Sequence, residues 1–326
     1  MRVVVCKELG PPEALVVEER PTPEPGDGQV RIAVRAAGVN YVDGLIAAGR
    51  YQIRIEPPFV PGSELAGVVD AIGPGVEGLA VGDRVFATLG TGGFAEYAIA
   101  RPVAVTPIPD SLDFARAASF HQSYCTAWFA LVRRTVVRPG ETVLVTGAGG
   151  GVGLAAVDVA RALGARVIAV ASTPEKRALA MQMGAEATID PNVDDIKTRA
   201  RELAGSGGVD VVYDAVGGEL AEASLRALRF DGRFCVIGFT GGIPRIPLNL
   251  VLLNNRTVVG VDWGAWVGQN QAENQAMLRE VMQNIVAGKL HPVEPVSYPM
   301  SRAVDAMRDL QNRKVAGKVA LVPDFD

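Results

Sequence analysis

Residues 142–153 read TVLVTGAGGGVG, a short apolar strand running straight into a glycine-rich turn. The unbroken run TVLVT has the composition of a strand buried on both faces of a parallel sheet. Residues 151–163 carry a helical pattern, and Gly164 stops it. Between strand and helix stands AGGGVG, the GxGxxG fingerprint with Ala148 in its first place, followed by Gly150 and Gly153. In that reading Gly150 lets backbone approach a pyrophosphate and Gly153 lets the helix press on the sheet. The helix start, at Gly151 and Val152, turns its N–H groups toward the phosphates. A glycine run alone also fits a plain tight turn. The strand RVIAVA at 166–171 follows at βαβ spacing and favours the dinucleotide site.

NAD-preferring sites place an acidic residue roughly twenty residues after the glycines, where it grips the ribose hydroxyls. This chain has Ala171 there, followed by Ser172, Thr173, Pro174, Glu175, Lys176 and Arg177. With no carboxylate at that place, and with a hydroxyl and two cations at hand, a 2′-phosphate is expected, and hence NADPH. The same residues also read as a helix start, with Thr173 capping and Pro174 first, and with Lys176 and Arg177 as solvated surface. The two readings are compatible.

A length of 326 residues suggests two domains, and 48% hydrophobic with 21% charged residues describes an ordinary globular chain. The net charge of −4 and the lack of a cationic run argue against nucleic acid and anionic membranes as partners. No apolar stretch approaches a membrane span. The opening MRVVVCKEL reads as a first strand rather than a secretion signal, so a cytoplasmic protein is expected. Cys6, Cys125 and Cys235 are far apart and form no CxxC pair, which excludes a disulfide framework or structural zinc site from spacing. His121 and Cys125, four apart, would share a helix face. With no third ligand they read as packing residues, and no metal is expected.

Residues 1–122 run in short alternating stretches such as QVRIAVRAAG and GDRVFATL, punctuated by Gly and Pro, the pattern of an all-β module. From 123 to 262 strands and helices alternate, with VDVVYDAVG, FCVIGF and TVVGVDW as later strands. Residues 274–287 and 302–312 look helical, and KVALV is a strand that can rejoin the first module. The expected organisation is an α/β chain. A discontinuous β-rich domain, 1–122 with 263–326, surrounds a doubly wound parallel-sheet domain at 123–262.

Several stretches together carry a resemblance: GVNYVD at 38–43, VPGSELAGVV at 60–69, VGDRVFA at 81–87, GGFAEYA at 92–98, AGGGVG at 148–153, VVYDAVGG at 211–218 and GKVAL at 317–321. The chain resembles, end to end, the zinc-free quinone oxidoreductases of the medium-chain dehydrogenase/reductase superfamily. The resemblance implies a GroES-like catalytic domain and a Rossmann domain. Zinc-dependent relatives use a cysteine where this chain has Asn40 and a histidine where it has Ser63. Glu64 alone cannot hold a catalytic zinc, which needs about three protein ligands.

What the resemblance implies for activity is hydride transfer from NADPH to a quinone. The alternative is an enone or enoyl-thioester acceptor, and a third reading is a low-turnover NADPH-binding structural protein. By resemblance, Asn40 and Asp43 line the catalytic site, and Tyr51 matches the acid of related enoyl-thioester reductases. On the residues alone, Asn40 also fits a turn, Asp43 a helix cap and Tyr51 a core edge. The resemblance further places Thr126 near the carboxamide, Val216 near the adenosine, Gly238 and Phe239 beside the nicotinamide half, and Arg313 near the 2′-phosphate. Two departures are Leu45, where some quinone reductases carry a tyrosine, and Pro191, where a tyrosine often stacks. Trp263 and Trp266 read as packing residues. TVVGVDW resembles the edge strand through which family members form homodimers.

Overall fold

The computed structural model describes residues 1–205 and 207–324. The chain divides into two units, residues 1–121 with 294–326 and residues 122–293. The first unit begins with β1 (Arg2–Cys6), β2 (Leu15–Glu19), β3 (Val30–Val39), α1 (Tyr41–Ala47), β4 (Glu64–Ile72), β5 (Arg84–Thr88), β6 (Tyr97–Ala100) and β7 (Val105–Pro107). After α2 (Phe114–Trp128) come β8 (Thr142–Thr146), α3 (Gly151–Ala162), β9 (Arg166–Val170), α4 (Pro174–Gln182), β10 (Ala187–Ile189) and α5 (Ile196–Ala204). The second unit continues through β11 (Val209–Asp214), α6 (Gly218–Ala227), β12 (Leu228–Val236), α7 (Asn249–Leu252), β13 (Thr257–Gly260), α8 (Trp263–Gln269) and α9 (Gln271–Val286). The chain then returns through β14 (Val296–Pro299), α10 (Ala303–Gln311) and β15 (Val319–Val322).

The second unit holds one parallel sheet of order β10-β9-β8-β11-β12-β13. Strand order reverses between β8 and β11, the place where doubly wound sheets bind ligands at the strands' carboxyl ends. All five residues of β8 are buried, as its unbroken apolar run requires.

Strand order in the first unit's main sheet is β14-β15-β3-β4-β5-β7, with β6 also on β3. Only the β14–β15 pair is parallel. KVALV rejoins the first unit as expected, since Val319 pairs with Val39 and Ala320 with Gly38. On the other side of β3, Gly38 pairs with Glu64, and Glu64 in turn pairs with Thr88. One end of the sheet therefore gathers the end of β3, the start of β4, the end of β5 and the approach to β15.

One boundary differs from expectation. Residues 263–293, expected in the first unit, belong to the second. The Trp128 indole donates to Glu280 (3.0 Å), Phe129 stacks on Trp266 at 4.7 Å, and Met277, Leu278 and Val281 of α9 are buried. The amphipathic pattern of α9 fits either unit equally well, so periodicity cannot assign it. Among the described residues no helix is long and apolar enough to cross a membrane.

Candidate active site

Asn40 follows β3 in extended backbone (φ −110°, ψ 153°) and caps α1. Its N–H donates to the carboxylate of Asp43 (2.7 Å), and its carbonyl accepts from the Asp43 N–H (3.0 Å). This is the reciprocal cap that an Asn-x-x-Asp spacing allows, and it fixes the turn that carries both side chains. Both are buried.

The Asn40 side chain is held from two neighbouring strands. Its Nδ2 donates to Glu64 Oε1 (2.8 Å), and its Oδ1 accepts from Lys318 Nζ (2.5 Å). Lys318 also lies 3.3 Å from Glu64 Oε1, closing a triangle of buried groups. Gly38 makes room for it, because a Cβ there would meet the Ala118 carbonyl and come within 2.8 Å of Glu64 Oε1. Next along the row, Thr88 Oγ1 lies 3.3 Å from Nδ1 of buried His121, whose ring is 5.4 Å from Phe86.

Burial sets the electrostatics. It pushes the Asp43 carboxyl up from 3.8 to about 7, against the Asn40 N–H; the nearby Glu64 carboxylate adds to the rise, while Lys318 and Ser63 oppose it. Burial pulls the His121 imidazole down from 6.5 to about 4, with Glu64 opposing and Lys318 assisting. Near neutrality Asp43 is thus part protonated while His121 is a neutral ring.

Tyr51 follows α1 in an irregular segment and is half-buried. The sequence reading missed Lys318 and considered Glu64 only as a failed metal ligand. A zinc ion does not fit the donor set Asn40, Ser63 and Glu64, because the Lys318 ammonium already bonds Asn40 Oδ1 and Glu64 Oε1. The cationic side chain stands where a metal would need those same atoms.

In the second unit, Ala148 N–H donates to the Val170 carbonyl (3.0 Å) and Gly150 N–H to that of Gly147 (3.0 Å), fixing the glycine turn at the ends of β8 and β9. Gly150 caps α3 and is exposed. A Cβ on it would come no nearer than 3.6 Å to protein, so packing does not demand the glycine; what it keeps open is the space above the loop. A Cβ on Gly153 would strike the Gly147 carbonyl, the close helix approach expected of the third glycine. The first N–H groups of α3, at Gly151, Val152 and Gly153, have no intrahelical acceptor and suit an anion.

Past β9, Thr173 Oγ1 accepts from Lys176 N–H (3.3 Å) with Pro174 first in the helix, so the capping reading holds. Ser172 is exposed, and its carbonyl accepts from Asn192 Nδ2 (2.9 Å), a contact the sequence did not reveal. The Lys176 stem packs over Gly149, where a Cβ would lie 2.5–2.7 Å from its Cβ, Cγ and Cδ. Arg177 corrects the expectation of two available cations, since it pairs with Asp190 (2.8 Å) and donates to the Ala171 carbonyl (3.0 Å).

Buried Asp214 latches the switch point. It accepts from Thr146 Oγ1 (2.5 Å) across β8 and β11 and from the N–H groups of Val216 and Gly217. Gly241 N–H to the Val216 carbonyl (2.7 Å) and Gly218 N–H to the Gly242 carbonyl (2.7 Å) draw the segment after β12 against this turn. Val216 therefore lies beside Gly147, where a Cβ would be 3.0 Å from its Cγ2, and Gly238 and Phe239 lie beside Gly217, where a Cβ would be 3.4 Å from the Gly238 carbonyl and 3.3 Å from the Phe239 ring. Thr126 sits half-buried on α2. Arg313 is an exposed residue of the first unit, just after α10, with a left-handed backbone (φ 58°).

Two family models match the chain: an alcohol dehydrogenase GroES-like domain over residues 26–110 and a zinc-binding dehydrogenase domain over residues 151–284. The chain is 40% identical over 323 residues to quinone oxidoreductase-like protein 2 of Bos taurus, covering 98% of this chain and 92% of that protein. A solved structure of the Thermus thermophilus quinone oxidoreductase, described together with its NADPH complex, superposes with a TM-score of 0.83 at 35% identity, covering 99% of this chain and 100% of that one. A segment of polyketide synthase GfsB of Streptomyces halstedii is 41% identical over 302 residues, 90% of this chain but 5% of that protein.

Proposed function

Since the chain belongs to the quinone oxidoreductase family of the medium-chain dehydrogenase/reductase superfamily, we propose that it reduces a quinone with NADPH and without a metal. The observation that carries this reading is the buried Asn40–Lys318–Glu64 triangle: it presents an amide, backed by a cation, where a metal's donors would have to be. NADPH supplies the hydride. A quinone accepting it gains a negative charge spread over its ring and oxygens, which calls for orientation and hydrogen bonds rather than a concentrated Lewis acid.

In this reading the second unit holds the cofactor. Ala148, Gly150, Gly151, Val152 and Gly153 receive the pyrophosphate, and Val216 packs on the adenosine. Ser172 and Lys176 take the 2′-phosphate, while Thr126, Gly238 and Phe239 border the nicotinamide half. In the first unit, the second N–H of Asn40 Nδ2 donates to the acceptor oxygen and the Tyr51 hydroxyl orients it. Asp43, with a pKa raised to about 7, is the proton source.

Measuring NADPH oxidation against quinones, enones and enoyl-thioesters tests this. Fast turnover with a quinone is expected, and negligible turnover across the panel returns the low-turnover binding reading. The second reading is an NADPH-dependent enoyl-thioester double-bond reductase with Tyr51 as acid, and an enoyl-thioester turned over fastest in the panel would favour it.

We further propose a homodimer through β13. That strand is the sheet edge, Val258 on it is exposed, and Leu248, Leu252 and Leu253 stand 78%, 75% and 70% exposed beside it in sequence. A monomeric mass in solution scattering refutes this pairing. The three cysteines, buried and outside any disulfide, support a reducing, cytoplasmic setting.

A further inference from the structure

A carboxamide is nearly symmetric in shape but not in chemistry, with an acceptor at one end and two donors at the other. Asn40 lies between charges of opposite sign. Its Oδ1 is 2.5 Å from the Lys318 ammonium and its Nδ2 is 2.8 Å from the Glu64 carboxylate. A flip would set N–H against ammonium and oxygen against carboxylate, and both contacts would repel. The ion pair therefore selects one amide orientation and spends one Nδ2 hydrogen on Glu64, leaving the second. An ammonium bonded to Oδ1 also draws charge from the amide and makes the remaining N–H a stronger donor.

We propose that Lys318 is a positioning residue for the reaction: through Oδ1 it locks and polarises the Asn40 amide, so that the unspent Nδ2 hydrogen is held toward the oxygen of the acceptor. The register explains how it arrives there. Val319 pairs with Val39, so Lys318, one residue before β15, stands beside Asn40, one residue after β3. Glu64 stands across β3 opposite Gly38. Asn40, Glu64 and Lys318 are 7%, 2% and 6% exposed, so water does not compete for these contacts. The inference rests on the proposed contact between Asn40 and the acceptor.

Lys318→Met alone removes the cation beside a buried carboxylate, so the deciding variant is Lys318→Met/Glu64→Gln, a neutral triangle of similar size. It is expected to keep the wild-type unfolding midpoint and NADPH affinity, with kcat for a quinone lowered at least about tenfold and KM changed less than about threefold. Lys318→Arg, which keeps the cation, restores most of kcat. In an Asn40→Ala background the same double substitution changes kcat less than about twofold, because the group it acts through is gone. A double variant that turns over at the wild-type rate, or that does not fold, overturns the positioning role and leaves the ion pair a structural element. If instead Asn40→Ala itself retains full kcat, the contact between Asn40 and the acceptor fails.

Discussion

Asp43 and His121 make opposite contributions to stability over almost the same pH range, and single substitutions should expose each. Asp43 rises from 3.8 to about 7 on folding. The folded state therefore keeps a proton that the unfolded chain has lost, and stability present below pH 3.8 is lost as pH rises to about 7. At about 1.4 kcal/mol per pH unit over roughly three pH units, that is about 4 kcal/mol. His121 falls from 6.5 to about 4. The unfolded chain binds a proton that the folded ring refuses, so stability present above pH 6.5 is lost as pH falls to about 4, about 3 kcal/mol over roughly 2.5 pH units. Between these limits the two nearly cancel.

Asp43→Asn keeps an oxygen for the Asn40 N–H and removes the titration. Relative to wild type, its stability should therefore climb by about 4 kcal/mol as pH rises from about 4 to 7, because the decline that Asp43 imposes is gone. His121→Gln should lose about 3 kcal/mol relative to wild type as pH rises from about 4 to 6.5, because the gain that His121 supplies is gone. The groups that face the pair, Asn40, Ser63, Glu64 and Lys318, are common to all three proteins and drop out of these differences. The assay is the urea midpoint of the first unit, followed by amide hydrogen exchange in β3 and β4 at closely spaced pH values, since a two-unit chain need not unfold in one transition. Parallel pH profiles for wild type and Asp43→Asn would refute the raised carboxyl.

Lys176→Ala should weaken NADPH by ten- to a hundredfold, about 1.5–3 kcal/mol for a charge-assisted contact, and leave NADH unchanged in equilibrium titrations. Gly149→Ala should move the same ratio in the same direction, because its Cβ would intrude to 2.5–2.7 Å on the Lys176 stem; an unchanged NADPH/NADH ratio would count against that packing role. Activity should survive chelators, and elemental analysis should find no stoichiometric zinc; one zinc per chain, lost together with activity, would overturn the metal-free mechanism. Tyr51→Phe should lower kcat/KM for a good quinone by less than about tenfold, roughly 1.4 kcal/mol, whereas a collapse confined to an enoyl-thioester would favour Tyr51 as its acid.

The dinucleotide loop was legible in sequence because everything it needs is local: a strand, a turn and a helix start within twelve residues. The closeness of Gly153 to Gly147 and the cap at Thr173 follow from the same short range. Arg177 shows where that range ends. As a cation it is plain in the sequence, but its partner Asp190 stands after β10, and only the fold of α4 and β10 beside β9 removes it from the set of phosphate ligands. Likewise α9 announces an amphipathic helix without announcing which unit its apolar side joins, and only Glu280 meeting Trp128 decides it.

Lys318 was hidden for a deeper reason. The stretch GKVAL was visible as a marker, yet the partner of its lysine is set by an antiparallel register between strands some 278 residues apart, and a slip of one residue would turn the side chain to the other face. That register has a chemical consequence. A divalent metal concentrates charge on one atom of the substrate, which suits an alkoxide, while a quinone anion is already delocalised. In the proposed arrangement an ammonium one amide removed from the acceptor gives a softer, directional field, and Glu64 pairs with that ammonium within the protein. On the proposed contact between Asn40 and the acceptor, Lys318 with Asn40 suits one that spreads its own charge.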